Sequence, residues 1–154
     1  MKLSNKKEYD ISAALASIDS SIIAKVIFDV NEIGTIVYDD IANPGNAKPT
    51  EVEIDAAGKA IHFNATKELY QVETQKTLDA KAKEIGYDSI FTAVTYADEP
   101  SVPAFQSDGQ ALRAWRSAVW AYAYQVLADV EAETIALPSL EDFIADAPAY
   151  VPPA

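Results

Sequence analysis

The chain has 154 residues, enough for one ordinary domain or two small ones, and 49% of them are hydrophobic, which suffices for a real core. Twelve Lys and Arg stand against 24 Asp and Glu, a formal net charge of −12. That balance argues against nucleic acid and anionic membrane surfaces, because both need a basic footprint and the densest basic run is Lys6-Lys7. The chain has no cysteine, which removes disulfides, thiolate chemistry and Cys-ligated metals.

Residues 1–64 read as a small β-rich domain. The start, Met1 to Glu8, lacks the apolar stretch of a signal peptide, so synthesis in the cytoplasm is expected. Tyr9 to Ile18 has apolar residues at helical spacing, a short helix. Ser21 to Val30 is dense in β-branched residues and Gly34 to Tyr38 follows a turn-like Asn31-Glu32-Ile33-Gly34, so the two form a candidate hairpin. Ile41 to Pro49 contains Asn-Pro-Gly and reads as a loop. Thr50 to Asp55 alternates polar and apolar, which predicts a half-buried strand; Ala56 to Lys59 is then a turn and Ala60 to Phe63 a returning strand.

Residues 65–154 read as a helical domain. Leu69 to Ile85 is rich in Lys, Glu, Gln and Ala, with Asn64 or Thr66 as a candidate cap and Gly86 at the C′ position. Ser89 to Tyr96 is a second helix, stopped by Asp98 to Pro103. The clearest element is a long amphipathic helix from Ser107 to about Glu133, opened by the capping-box pattern Ser107-Asp108-Gly109-Gln110. Leu112, Trp115, Val119, Tyr122, Val126 and Val130 give it an apolar stripe, which Trp120, Tyr124 and Leu127 widen. Leu140 to Ala145 is a short helix after Pro138-Ser139, and the chain closes on a proline-rich extended tail. The expected fold class is therefore α+β.

The chemistry of recognisable active sites is missing. His62 is the single histidine, so neither a zinc site nor a triad can be assembled around it by pattern. The five glycines fit no phosphate-binding spacing. Asp39-Asp40 and Glu51-x-Glu53-x-Asp55 are the densest carboxylates; on a strand, 51, 53 and 55 share a face, and a solvated face explains that without Ca2+. No catalytic, cofactor-binding or metal residue is assigned and no cofactor is expected. The residues singled out are Arg113, Trp115, Arg116, Trp120 and Tyr124. The only two arginines of the chain lie among its two tryptophans, and this composition reads either as core or as a protein-binding surface.

The run Leu78 to Ile90, then Tyr96-Ala97, Pro103-x-Phe105, Gly109-Gln110-Ala111-Leu112-x-x-Trp115-Arg116-x-x-Val119-Trp120 and Leu137 to Phe143 resembles a helical module of small tail-region proteins of tailed bacteriophages and prophages. The Trp-Arg segment with a proline-rich end is also similar to the C-terminal region of tail-fibre assembly proteins. The resemblance covers about residues 70–154 and implies a non-enzymatic virion tail component whose partner is a tail fibre, spike or baseplate protein, in an assembly that includes homo-oligomers. The alternatives are a tail-fibre assembly chaperone that leaves the particle, an acidic inhibitor of a host nucleic-acid-binding protein, and a receptor- or carbohydrate-binding tip.

Overall fold

The computed structural model describes residues 1–4, 7, 9–19, 24–29, 31–38 and 48–153. Most of the loop expected at 41–49, and the Asp39-Asp40 pair, lie outside the described residues. The chain is α+β and divides into two compact units, Met1–Thr66 and Lys67–Ala154.

In the first unit, helix α1 (Ile11–Ile18) is started by Asp10, whose carboxylate accepts from the backbone N–H groups of Ser12 and Ala13. Strands β1 (Ala24–Phe28) and β2 (Gly34–Tyr38) form the expected antiparallel hairpin, with Val26 opposite Ile36. Its turn is shaped by Asp29, which accepts from the N–H groups of Asn31 and Ile33, and by Glu32 at φ 59°. Leu3, Ile11, Ala14, Leu15, Ile36 and Ile54 form the core.

The expected strands at 50–55 and 60–63, and the turn between them, are not formed. All of those residues after Thr50 lie in helix α2 (Glu51–Ile85), which at 35 residues is the longest element. The start is a capping box: the Thr50 hydroxyl accepts from Glu53 N–H, and the Glu53 carboxylate accepts from Thr50 N–H. Alternation over six residues is also compatible with a helix that buries one position in four, and only Ile54 and Gly58 are buried here. Gly58 is no turn residue. A Cβ there would sit 2.1 Å from the Tyr9 ring, so the glycine makes room for that ring on the helix surface. Asn64 and Thr66, the candidate caps, are interior to α2, and among the described residues the first unit carries only the two five-residue strands and one isolated bridge.

A partly buried ion cluster ties Ser4, Lys7 and Tyr9 to the start of α2. The Lys7 side chain is 5% exposed and its Nζ lies 2.8 Å from both Glu51 Oε1 and Asp55 Oδ1. Tyr9 donates its hydroxyl proton to Asp55, and Ser4 donates through both N–H and hydroxyl to Glu51. Glu51 and Asp55 are one helical turn apart, so the helix, not a strand face, brings them together. The hydrogen bond from Lys7, with those from Ser4, pulls the Glu51 pKa down to about 2. For Asp55, burial pushes the pKa up, but hydrogen bonds from Lys7 and Tyr9 outweigh it and the net shift is down. Both folded-state pKa values are depressed, so the stabilisation is present above the ordinary carboxylate range near ~4 and is lost as the pH falls towards about 2. The first unit is therefore expected to loosen on acidification through that window. A pH titration followed by circular dichroism checks it: Glu51→Gln should flatten the acid limb, and an unchanged limb would contradict the assignment.

In the second unit, α2 ends in a Schellman motif. Gly86 takes φ 110°, Tyr87 N–H donates to Ala82 O and Gly86 N–H to Lys83 O. Helix α3 (Ile90–Thr95) is capped by Ser89, which accepts from Thr92 N–H, and by Asp79 of α2, which accepts from Ile90 N–H. A 3-10 turn follows at Tyr96–Asp98. Helix α4 (Pro103–Glu131) begins four residues before the expected Ser107, with Pro103 at N1, where its missing N–H costs nothing. Ser107 and Gly109 are thus interior to the helix, and Gln110 donates to Ala97 O instead of closing a capping box. Helix α5 (Leu140–Ala145) matches the expected short helix and is capped by Ser139. Leu78, Ala82, Ile90, Ala93, Leu112, Trp115 and Val119 make the core of this unit.

Candidate functional site

Two stripes run side by side along α4, and they separate the five singled-out residues. Leu112, Trp115, Val119, Ala123 and Leu127 are buried. Arg113, Arg116, Trp120 and Tyr124 are each one residue further on, a rotation of about 100° around the axis, and form the neighbouring stripe. Trp115 and Trp120 are five residues apart, so they point about 140° from one another: Trp115 lies in the core and Trp120 packs against its margin.

Trp115 is a core residue, 8% exposed. Its indole N–H donates to Pro148 O at 2.7 Å, and the Tyr150 ring meets it edge-on at 5.5 Å. The tail after α5 is therefore tied to α4 by a polar bond and an aromatic contact at the same side chain. Tyr122 supports the same region by donating to Phe143 O, and the Tyr70 ring stacks on Phe143 at 4.3 Å while its hydroxyl donates to Pro138 O. The segment from Pro138 to Tyr150 is held at four points by aromatic residues of α2 and α4.

The outer stripe is different in kind. Arg116 lies over the Phe91 ring at 5.2 Å, in cation–π geometry. Its Nε is buried without a hydrogen-bond partner. Trp120, one turn on, is half-buried and stacks on Tyr124 at 5.7 Å. Tyr124 is 59% exposed and Phe91 57%. Phe91 was not among the residues singled out from sequence. Its signal is readable only once Ile90 and Ala93 are known to be core, because that turns position 91 outward.

Arg113 heads this stripe but is committed. It makes a two-bond fork to Asp98, with N–O distances of 2.7 and 3.3 Å, and also donates to Val94 O. The hydrogen bonds hold the Asp98 carboxyl below its usual range and push the Arg113 guanidinium up. Both groups are exposed, so the pair tethers the 3-10 turn to α4 without contributing much stability. Arg113 is a brace; Phe91 and Tyr124 are the exposed part of this surface, with Arg116 and Trp120 half-buried between them.

The other sequence candidates carry no site. Glu53 is spent on the α2 cap and Glu51 and Asp55 on Lys7, so the three carboxylates do not converge. Among the described residues no group of three or more His, Asp or Glu is placed to hold a metal ion, and no helix is long and apolar enough to cross a membrane. His62 is exposed on α2. What this face of α3 and α4 offers is aromatic area at Phe91, Trp120 and Tyr124 beside the Arg116 guanidinium. Comparisons with protein-family models, with curated proteins and with solved structures found no match to this chain.

Proposed function

We propose that this chain is a non-enzymatic component of a phage tail that binds another tail protein, a fibre, spike or baseplate subunit, through the outer face of α4. The observation that carries the reading is the surface of Phe91, Arg116, Trp120 and Tyr124. Trp, Tyr and Arg are the side chains that most often dominate protein–protein binding energy. A docked protein would cover the Phe91 and Tyr124 rings, which the chain by itself leaves exposed. The resemblance of residues 70–154 to tail-region modules supplies the context.

Peptide mass spectrometry on gradient-purified particles tests the reading. Stoichiometric peptides from this chain are expected in the particle. Their absence, with the protein abundant in the lysate, would overturn the virion assignment in favour of an assembly chaperone that binds the fibre and leaves.

A further inference from the structure

The hairpin of the first unit has two edges, and only one of them is used. On β2, Gly34 O accepts from Leu3 N–H and Ile36 N–H donates to Met1 O, so the even-numbered residues face the N-terminal segment. The odd-numbered residues therefore face β1, and Lys25 with Val37 and Ile27 with Thr35 are the hydrogen-bonded pairs of the register. The bond from Asp29 N–H to Ile33 O continues that series past the strand end. By the same alternation, the N–H and C=O groups of Ala24, Val26 and Phe28 point away from β2. Among the described residues they have no backbone partner on that side. The surface beside them is apolar: Ile27 is 48% exposed, Phe28 58% and Val37 49%. An apolar strand edge with open donors and acceptors is a template for another strand.

We propose that this edge pairs with β1 of a second copy of the chain, antiparallel and across a two-fold axis at Val26, to give a four-stranded sheet. The strand's own sequence selects a copy of itself. Ala24, Val26 and Phe28 are placed symmetrically about Val26, so one register serves all three: Val26 pairs with its own copy, and Ala24 pairs with Phe28 twice. The exposed Phe28 ring then lies opposite the small Ala24 side chain. On the other face of the sheet Lys25 lies opposite Ile27. Lys25 is the only charged side chain of β1 and β2, so the two lysines of the dimer do not meet directly. The chain carries a net charge of −12, but neither strand holds a carboxylate. Repulsion between the two copies therefore acts from outside the seam, and charges more than about 8 Å apart are largely screened at physiological salt.

Analytical ultracentrifugation of the full chain, from micromolar to submillimolar concentration, tests the proposal. A monomer–dimer equilibrium is expected. Ile27 is exposed and outside the core, so it can be changed without unfolding the first unit. Ile27→Lys sets a lysine opposite Lys25 twice in the dimer and should weaken it by about tenfold. Ile27→Glu makes two opposite-charge pairs instead and should leave the dimer at least as tight as wild type. That order is the reverse of what net charge alone gives for an acidic chain, since the lysine lowers the overall repulsion and the glutamate raises it. Amide hydrogen exchange should slow on dimerisation at Val26 and Phe28, and not at Lys25 or Ile27, whose N–H groups are already bonded to β2. A monomer at every concentration would overturn the proposal and leave the edge to a strand of another protein. A dimer in which Ile27→Lys is not the weaker of the two variants, or in which exchange at Val26 is unchanged, would put the interface elsewhere and overturn it as well.

Discussion

Gly109→Ala is expected to destabilise the second unit severely, although the same change in an exposed helix is ordinarily favourable. In a solvent-facing helix, alanine is better than glycine by about 1 kcal/mol, because glycine has more backbone entropy to lose. Gly109 lies in the second turn of α4, buried against the end of α3 and the 3-10 turn. A methyl group there would stand 2.4 Å from the Ala97 nitrogen, 2.7 Å from the Tyr96 carbonyl carbon and 3.0 Å from Ala93 O. All three are backbone atoms, so no side chain can rotate away and the elements themselves must separate. The cost should lie at or above the upper end of the ~1–3 kcal/mol typical of overpacking. For a chain of this size that is a fall in Tm of about 10 °C. Thermal unfolding by circular dichroism decides it, and a Tm at or above wild type would show that α4 does not approach the 3-10 turn this closely.

Trp115→Ala and Trp120→Ala are expected to differ by several kcal/mol despite the similarity of the two residues in sequence. Truncating a buried tryptophan costs about 3–5 kcal/mol in lost contacts and cavity formation. At Trp115 the loss includes the hydrogen bond to Pro148 O and the edge contact with Tyr150. The tail should therefore detach, and limited proteolysis should cut between residues 147 and 153 at a much higher rate. Trp120 is half-buried at the margin of the core and stacks on an exposed tyrosine. Its truncation should cost about 1 kcal/mol and leave the tail protected. Equal Tm losses for the two variants would mean that the two stripes of α4 are not divided as described.

The helical half was readable from sequence because its signals are local and redundant. Gly86, Ser89 and Ser139 sit where their side chains or φ values end or begin helices, and Leu112, Trp115 and Val119 repeat at a helical period. The hairpin of β1 and β2 was readable from β-branched residues either side of a turn. The error at 50–63 has a definite cause. Thr50-Glu51-Val52-Glu53-Ile54-Asp55 satisfies a period of two, but Val52 is exposed and the same residues carry a Thr-x-x-Glu capping box. Gly58, read as a turn, is set by Tyr9 from 49 positions away, and no local pattern reports such a contact. Ser107 misleads in the same way: the helix starts at Pro103, and Gly109 and Gln110 serve the contact with the 3-10 turn. The surface composition was legible as a set of five residues. Its division into core, brace and free face was not, because that depends on which side of α4 meets α3 and the tail.

The most direct test of the central claim is the copy number of the chain in purified particles when Trp120→Ala and Tyr124→Ala are made together and supplied to a phage lacking the wild-type gene. Quantitative peptide mass spectrometry should find the variant depleted by about tenfold or more, the loss of one or two hot-spot contacts, while the isolated protein keeps a Tm near wild type. Wild-type copy number in the particle would contradict the account, because the outer face of α4 would then not be the surface that holds the chain in the tail.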